Sequence, residues 1–336
     1  MAGYSGRFYG SAKPRRRRRI GMILALVIAV VVISRIYNLF GTNADPAGAL
    51  AETGGRNQTL PAPSQVQYEN KPKPSAVADT AYSANSLYVD PSGQSMNVKP
   101  DDIIETRDRL NAMLQVGSLE HGQASAIKQQ LSALADKWLF GKTVYSQDRL
   151  CDSVLVKPGD MLSTIGKRYN VPYEILMEIN NIKSPTQLQA DDTIKVINGP
   201  FHARIHRSSF TLDLYLQETF VRTFPVGVGQ PGMETPTGLW AVKPGGKLIK
   251  PSWRNPLTGK LYNAEDPDYP LGLRWIGLEG LEGSAKGRTG FAIHGTNDPA
   301  EIGAAKSQGC VRMYNDDVVL IYNLLVSGRS LVEIVD

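Results

Sequence analysis

Hydrophobic positions change rhythm several times along this chain. An unbroken apolar run from Ile20 to Ile33 gives way to polar and small residues that carry Pro46, Pro61, Pro63, Pro72, Pro74 and Pro91 with no sustained period. Apolar residues return at three- and four-residue steps between Ile103 and Leu139. Beyond residue 150, short β-branched runs alternate with Gly/Pro turns, first around two short helical stretches and then with little helix between them. Unbroken, absent, helical and alternating patterns predict a membrane segment, a linker, a helix pair and strands, respectively.

Five arginines, Arg15 to Arg19, stand directly before the apolar run. Extended to Phe40, the run reaches about 21 residues, or roughly 31 Å of helix, with Arg35 able to snorkel. Charge ahead of an apolar span keeps the preceding segment in the cytoplasm. The expected order is a basic cytoplasmic tail (1–19), a transmembrane signal anchor (20–40) and a flexible, disordered linker (41–100). Such a linker has a root-mean-square reach of roughly 45 Å. Cleavage near Ala47-Gly48-Ala49, which would make the segment a signal peptide, is the alternative.

Asp101 or Asp102 can cap a helix carrying Ile103, Ile104, Leu110, Met113 and Leu114. After a break near Gly117, Ile127, Leu131, Leu134, Trp138 and Leu139 form a second stripe. An αα-hairpin over 101–148 is expected, acting as a brace or a partner face. In 152–198, Val154 to Val156 reads as a strand and Lys157-Pro158-Gly159 as a turn. Asp160 would cap a helix burying Leu162, Ile165 and Tyr169, with Pro172 opening a second helix and Thr193 to Ile197 closing as a strand. This is a βααβ module.

From Phe201 the segments Ala203 to Ile205, Thr211 to Leu216, Val221 to Val226 and Gly290 to Ile293 predict a mainly-β domain, a sandwich or distorted barrel, with a helix over 316–325 and a last strand over 330–335. Between Lys243 and Lys286, Gly and Pro surround Trp253, Tyr262, Tyr269 and Trp275, which suits a lid. Here too lies the candidate chemistry. Ile293-His294-Gly295-Thr296 precedes Ser307-Gln308-Gly309-Cys310-Val311-Arg312-Met313, so His294 and Cys310 stand sixteen residues apart in neighbouring turns. A free thiol is only a few per cent thiolate at neutral pH, and a nearby imidazole is the usual remedy. Cys310 then reads as a nucleophile and His294 as its base. The N–H groups of Gly309 and Cys310 are candidates for an oxyanion hole, and the Gly295 carbonyl for orienting the imidazole. Ser307 is a candidate for bonding within the loop, and Arg312 for local charge or a substrate carboxylate.

These residues, with Ile302-Gly303, Val226-Gly227-Val228-Gly229 and Thr235-Pro236-Thr237-Gly238, resemble the L,D-transpeptidase catalytic domain (the YkuD family) over 200–336. That family commonly has His where this chain has Gln308. The βααβ module, through Val156-Lys157-Pro158-Gly159-Asp160-Met161-Leu162 and Asn180-Asn181-Ile182, resembles a LysM domain, with Asp191-Asp192 where that family often has Pro-Gly. The resemblances imply a cysteine-dependent peptidoglycan L,D-transpeptidase that passes a stem peptide through a thioester to an amine acceptor. They also imply glycan binding at Gly159, Asp160, Met161, Leu162, Asn180 and Ile182. Hydrolysis of the same thioester, an L,D-carboxypeptidase activity, is one alternative. A non-catalytic wall-binding protein with a degenerate catalytic domain is another.

The net charge of +5 is no larger than the arginine block, so no nucleic-acid surface is expected in the remainder. Two cysteines make no disulfide framework, and Cys151 is expected as a buried small residue. His202 and His206 lie four apart in a strand with no His-Glu-x-x-His motif, so neither a metal nor a cofactor is expected. The expected partners are glycan strands, stem peptides and, through the anchor, the cytoplasmic membrane. The catalytic part is expected outside the cytoplasm.

Overall fold

The structure is a computed structural model. It describes residues 102–115 and 119–336, and the backbone of a short antiparallel pair, β1 (Tyr88–Val89) and β2 (Ser95–Met96). The expected tail, anchor and most of the linker lie outside the described residues; the β1–β2 pair falls within the segment expected to be linker throughout. Among the described residues no helix is long and apolar enough to cross a membrane.

Two helices follow, α1 (Ile103–Gln115) and α2 (His121–Trp138). A capping box of Glu120 and Gln123 starts α2. Its stripe of Ile127, Leu131, Leu134, Ala135 and Trp138 is buried, following the expected helical period. The pair packs on the sheet of the C-terminal domain and joins its core. A buried ion pair, Arg107 to Asp148 at 2.8 Å, closes the region. The Arg107 guanidinium also lies 4.4 Å from the centre of the Trp138 ring.

The βααβ module is present as expected. Strand β3 (Cys151–Leu155) pairs antiparallel with β4 (Thr193–Ile197) around α3 (Leu162–Tyr169) and α4 (Tyr173–Asn180). Asp191 takes a left-handed turn conformation, φ 71°, which Asp tolerates better than most residues. Lys195 on β4 is buried, and its ammonium donates to the carbonyls of Trp138 (2.6 Å), Gly141 (2.7 Å) and Thr143 (2.9 Å). It thereby satisfies carbonyls at and just beyond the end of α2 that helix geometry leaves open. The module and the helix pair are locked together at this point.

The C-terminal domain is mainly β, as expected, and of the two expected forms, sandwich or distorted barrel, it is no two-sheet sandwich: it is built on one mixed, curled eight-stranded sheet. In chain order its strands are β5 (Phe201–His206), β6 (Thr211–Leu216), β7 (Thr219–Pro225), β9 (Gly238–Leu248), β12 (Trp275–Gly280), β13 (Phe291–His294), β15 (Val311–Arg312) and β16 (Leu331–Val335). The spatial order is β15-β13-β12-β9-β16-β5-β6-β7. Only β13–β15 and β16–β5 pair parallel within it. Between β9 and β12 the register jumps, Ile276 facing Lys247 but Leu278 facing Val242. The run Lys243-Pro244-Gly245-Gly246 bulges there, since Pro244 lacks a donor and Gly245 has φ +67°. A smaller parallel ladder joins β8 (Val228–Gly229) to β14 (Ala305–Ser307), and α5 (Asn315–Leu324) buries Val318, Ile321 and Leu324.

The expected lid over 243–286 is also revised. The second half of β9 and all of β12 are sheet strands, so the excursion is confined to 249–274, with its own small hairpin of β10 (Trp253–Arg254) and β11 (Leu261–Tyr262). Its Gly/Pro density had concealed β12, whose Trp275-Ile276-Gly277-Leu278 core is too short to alternate visibly.

Candidate active site

His294 ends β13 and Cys310 immediately precedes β15. The parallel register Ile293↔Val311 and His294↔Arg312 therefore brings the two turns together. The chain makes the connection through the ladder of β8 and β14, where Gln230 N–H donates to the Ser307 carbonyl at 2.9 Å. Gly229 is required against this ladder, because a Cβ there would lie 2.1 Å from the Met233 carbonyl oxygen. The Gly229 amide donates to Thr235 Oγ1 at 2.9 Å, so the Thr-Pro-x-Gly turn holds one wall of the Cys310 loop.

Within the loop, Ser307 performs the bonding role the sequence suggested. Its hydroxyl donates to the Cys310 carbonyl at 2.6 Å and accepts from the Gly309 amide at 3.0 Å. That second bond corrects the oxyanion assignment, since the Gly309 N–H is engaged within the loop. The Cys310 N–H, unused in the loop's described hydrogen bonds, is left as the candidate. Gly309 is needed for shape: its φ is +107°, and a Cβ would meet the Phe291 ring at 2.8 Å. Gln308 is exposed.

The imidazole of His294 is buried, 3% exposed. Its Nδ1 lies 2.6 Å from the Gly295 carbonyl oxygen, as expected. A carbonyl only accepts, so Nδ1 carries the hydrogen and Nε2 is left as the basic nitrogen. The indole of Trp275, opposite His294 in the β12–β13 register, stacks on the imidazole with centroids 5.5 Å apart and planes 13° apart. Sequence reasoning placed Trp275 only in a loose aromatic group; its position opposite His294 becomes visible once β12 is recognised. Asn315 braces the same turn from α5, accepting from Leu273 N–H at 3.0 Å and donating to the Thr296 carbonyl at 3.0 Å. No motif pointed to it.

Arg312 pairs with Glu301, whose other oxygen accepts from the Thr296 hydroxyl at 2.9 Å. The guanidinium is thus tied to a carboxylate of the same domain and supplies local positive charge. Burial pushes the His294 pKa down to about 4, against the raising effect of the Gly295 carbonyl, and the Arg312 charge acts in the same direction. Burial raises the Cys310 thiol above its ordinary value, opposed by a hydrogen bond from Ala292 and by Arg312. At neutral pH both groups are therefore uncharged, and the Cys310 thiol lies 3.9 Å from the Gly290 carbonyl oxygen. Cys151 is buried near the Trp138 carbonyl, its pKa pushed up to about 12 by burial, and it forms no disulfide with Cys310.

Of the six residues proposed to touch glycan, the structure leaves some open and engages others. Gly159 and Met161 are exposed, and Ile182 is half-buried. Leu162 is buried in the module's core, and the Asn180 amide is fully engaged with Leu176 and both backbone groups of Lys195, each at 2.8 Å. Asp160 accepts from the Lys157 amide at 3.0 Å and caps no helix; Met161 occupies the cap position. Elsewhere, a cleft of about 800 Å³ between the helix pair and β5–β6 contains neither His294 nor Cys310. His206 in that cleft bonds Asp213 at 3.2 Å, and His202 Nδ1 accepts from Leu331 N–H at 3.0 Å.

Fold and site together define a catalytic domain carried behind a glycan-module-like βααβ unit. The family model of the L,D-transpeptidase catalytic domain matches residues 200–334, and that of the LysM domain matches 154–196. The protein called L,D-transpeptidase YkuD in Bacillus licheniformis is 28% identical over 180 residues, 52% of this chain and 93% of that one. L,D-transpeptidase YqjB of Bacillus subtilis is 32% identical over 132 residues, 39% of this chain and 69% of that one. L,D-transpeptidase ErfK/SrfK of Escherichia coli is 35% identical over 127 residues, 34% of this chain and 37% of that one. The chain belongs to the L,D-transpeptidase (YkuD) family and carries a LysM domain ahead of the catalytic one.

Proposed function

We propose that Cys310 is the nucleophile of a peptidoglycan L,D-transpeptidase and His294 its base. The observation that supports this reading is the β13–β15 register, which brings the strand ending in His294 alongside the one that directly follows the half-buried Cys310, with the imidazole tautomer fixed by the Gly295 carbonyl. His294 Nε2 takes the thiol proton as sulfur attacks a stem-peptide carbonyl, and the C–N bond then breaks with the proton returned to the departing amine. The resulting thioester is attacked by an amine of a second stem. The Cys310 N–H supports the oxyanion, while Ser307 and Gly309 fix the loop's shape. Gln308 does not enter this scheme, and its exposed side chain leaves the pair's geometry intact.

The LysM domain holds wall glycan through Gly159, Met161 and Ile182, raising the local concentration of stems. The N-terminal segment anchors the chain in the cytoplasmic membrane with the catalytic part outside the cytoplasm.

The direct test is mass spectrometry of tetrapeptide muropeptides incubated with residues 100–336. Cross-linked dimer is expected at high acceptor concentration. Tripeptide alone would establish an L,D-carboxypeptidase, and unchanged substrate a non-catalytic wall binder. In the same assay Cys310→Ser is expected to lose at least a thousandfold in turnover, and a variant that kept the wild-type rate would remove the nucleophile assignment.

A further inference from the structure

A base that takes a proton becomes an imidazolium, and in this site the new charge has little to lean on. Among the described residues no carboxylate bonds the His294 ring, whose Nδ1 goes to the neutral Gly295 carbonyl. Four groups face or influence the ring. Arg312 on β15 is positive and repels an imidazolium. The Cys310 loop supplies the thiol. Gly295 supplies its carbonyl. From β12 comes the face of Trp275, 5.5 Å away and nearly parallel. The Glu301 carboxylate is held by Arg312 and Thr296, and the Arg274 guanidinium lies against the Tyr322 ring, 5.3 Å from its centre.

We propose that Trp275 is a positioning residue that does the work of a triad's third, acidic member: its indole face holds the His294 ring in plane and stabilises the imidazolium formed when Cys310 loses its proton. An indole face is the strongest of the aromatic partners for a cation, and the centroid separation is within the roughly 6 Å over which the attraction acts. A triad carboxylate likewise orients the imidazole and offsets its charge without being protonated itself. The β12–β13 ladder fixes Trp275 in this role, because Trp275 and His294 are direct partners in the register. Gly277, two residues on, keeps the space beside the indole clear: a Cβ there would meet Trp275 Nε1 at 3.3 Å.

The inference rests on His294 and Cys310 being the catalytic pair, and its test separates the two ideas. Alkylation of Cys310 by iodoacetamide is followed against pH in wild type, Trp275→Phe, Trp275→Leu and His294→Ala, with Cys310→Ser as background and circular dichroism to verify folding. Leucine keeps an apolar neighbour but removes the π face; phenylalanine retains one. At pH 7 we expect Trp275→Leu to react about tenfold more slowly, a loss consistent with the strength of a desolvated cation–π contact. Trp275→Phe should stay within about threefold of wild type. Above pH 10 all three histidine-containing proteins should converge, because the thiolate then forms without help from the base. A Trp275→Leu rate equal to wild type at pH 7, with His294→Ala slow, overturns the role of Trp275 alone. A slow rate in Trp275→Leu at every pH also overturns it, since a distorted loop would act throughout the range. A wild-type rate in His294→Ala overturns the catalytic pair itself. Should the leucine variant not fold, a Trp275→Phe protein slowed tenfold or more at pH 7 counts against the proposal.

Discussion

At the scale of single residues, burial decides how the proposed pair would work. An ordinary imidazole titrates near pH 6.5, whereas His294 is pushed down to about 4. Protonated below that value, it cannot accept the thiol proton; above it, the base is available. Because the folded pKa lies below the ordinary one, the acid limb of activity moves down with it. Turnover is expected to be flat from about pH 5 to 8 and to fall only as pH approaches 4, and a limb centred at 6.5 in a pH–rate profile would contradict the burial described. The same shift has a sign for stability. Between about pH 6.5 and 4 the unfolded chain binds a proton at His294 that the folded chain refuses, so acidification through this window favours unfolding. Gln308 presents the opposite case. Its side chain is exposed, so Gln308→His should change the melting temperature by less than about 2 °C, consistent with a surface effect within about 0.5 kcal/mol. Calorimetry would reveal a hidden contact as a larger drop.

At the scale of elements, the strongest lesson comes from what alternated and what did not. The βααβ module was legible because its helix starts, turns and closing strand each carry their own local signal, such as Gly159 at φ +86° and Pro172 at the opening of α4. Strand β12 was not legible, since Trp275 and Gly277 break its apolar pattern and Gly/Pro-rich chain surrounds it. His294 and Cys310 could be singled out from residue types, but not the parallel ladder that sets their two turns side by side. Nor could the bond of Gly309 to Ser307, because a loop's internal hydrogen bonds leave no period in sequence. The clasp made by Lys195 was equally silent: a lysine in a strand usually points to water, yet this one satisfies three carbonyls at and beyond the end of α2. Lys195→Met removes that charge and strands those carbonyls in a buried site. A loss of about 1–3 kcal/mol is expected from the orphaned acceptors, measurable as a lower denaturant midpoint. No change in midpoint would mean that water replaces the ammonium without cost.

At the scale of the whole molecule, the proposed N-terminal anchor makes a prediction about topology. A tag inserted after Ala47 should be labelled by a membrane-impermeant reagent in intact spheroplasts, and a tag before Arg15 should not. The reverse pattern would reject the orientation drawn from the arginines, while a mature N-terminus near residue 50 would replace the anchor by a cleaved signal.

The Lys195 clasp has one more consequence. With the helix pair packed on the sheet and the LysM domain bonded to the helix pair through Lys195, the module and the domain that carries Cys310 are joined through one continuous core. Under the proposed function, holding a sugar chain would also set which stem along it comes under Cys310, in the manner of a gauge block: the interval between the point of grip and the point of reaction belongs to the fold.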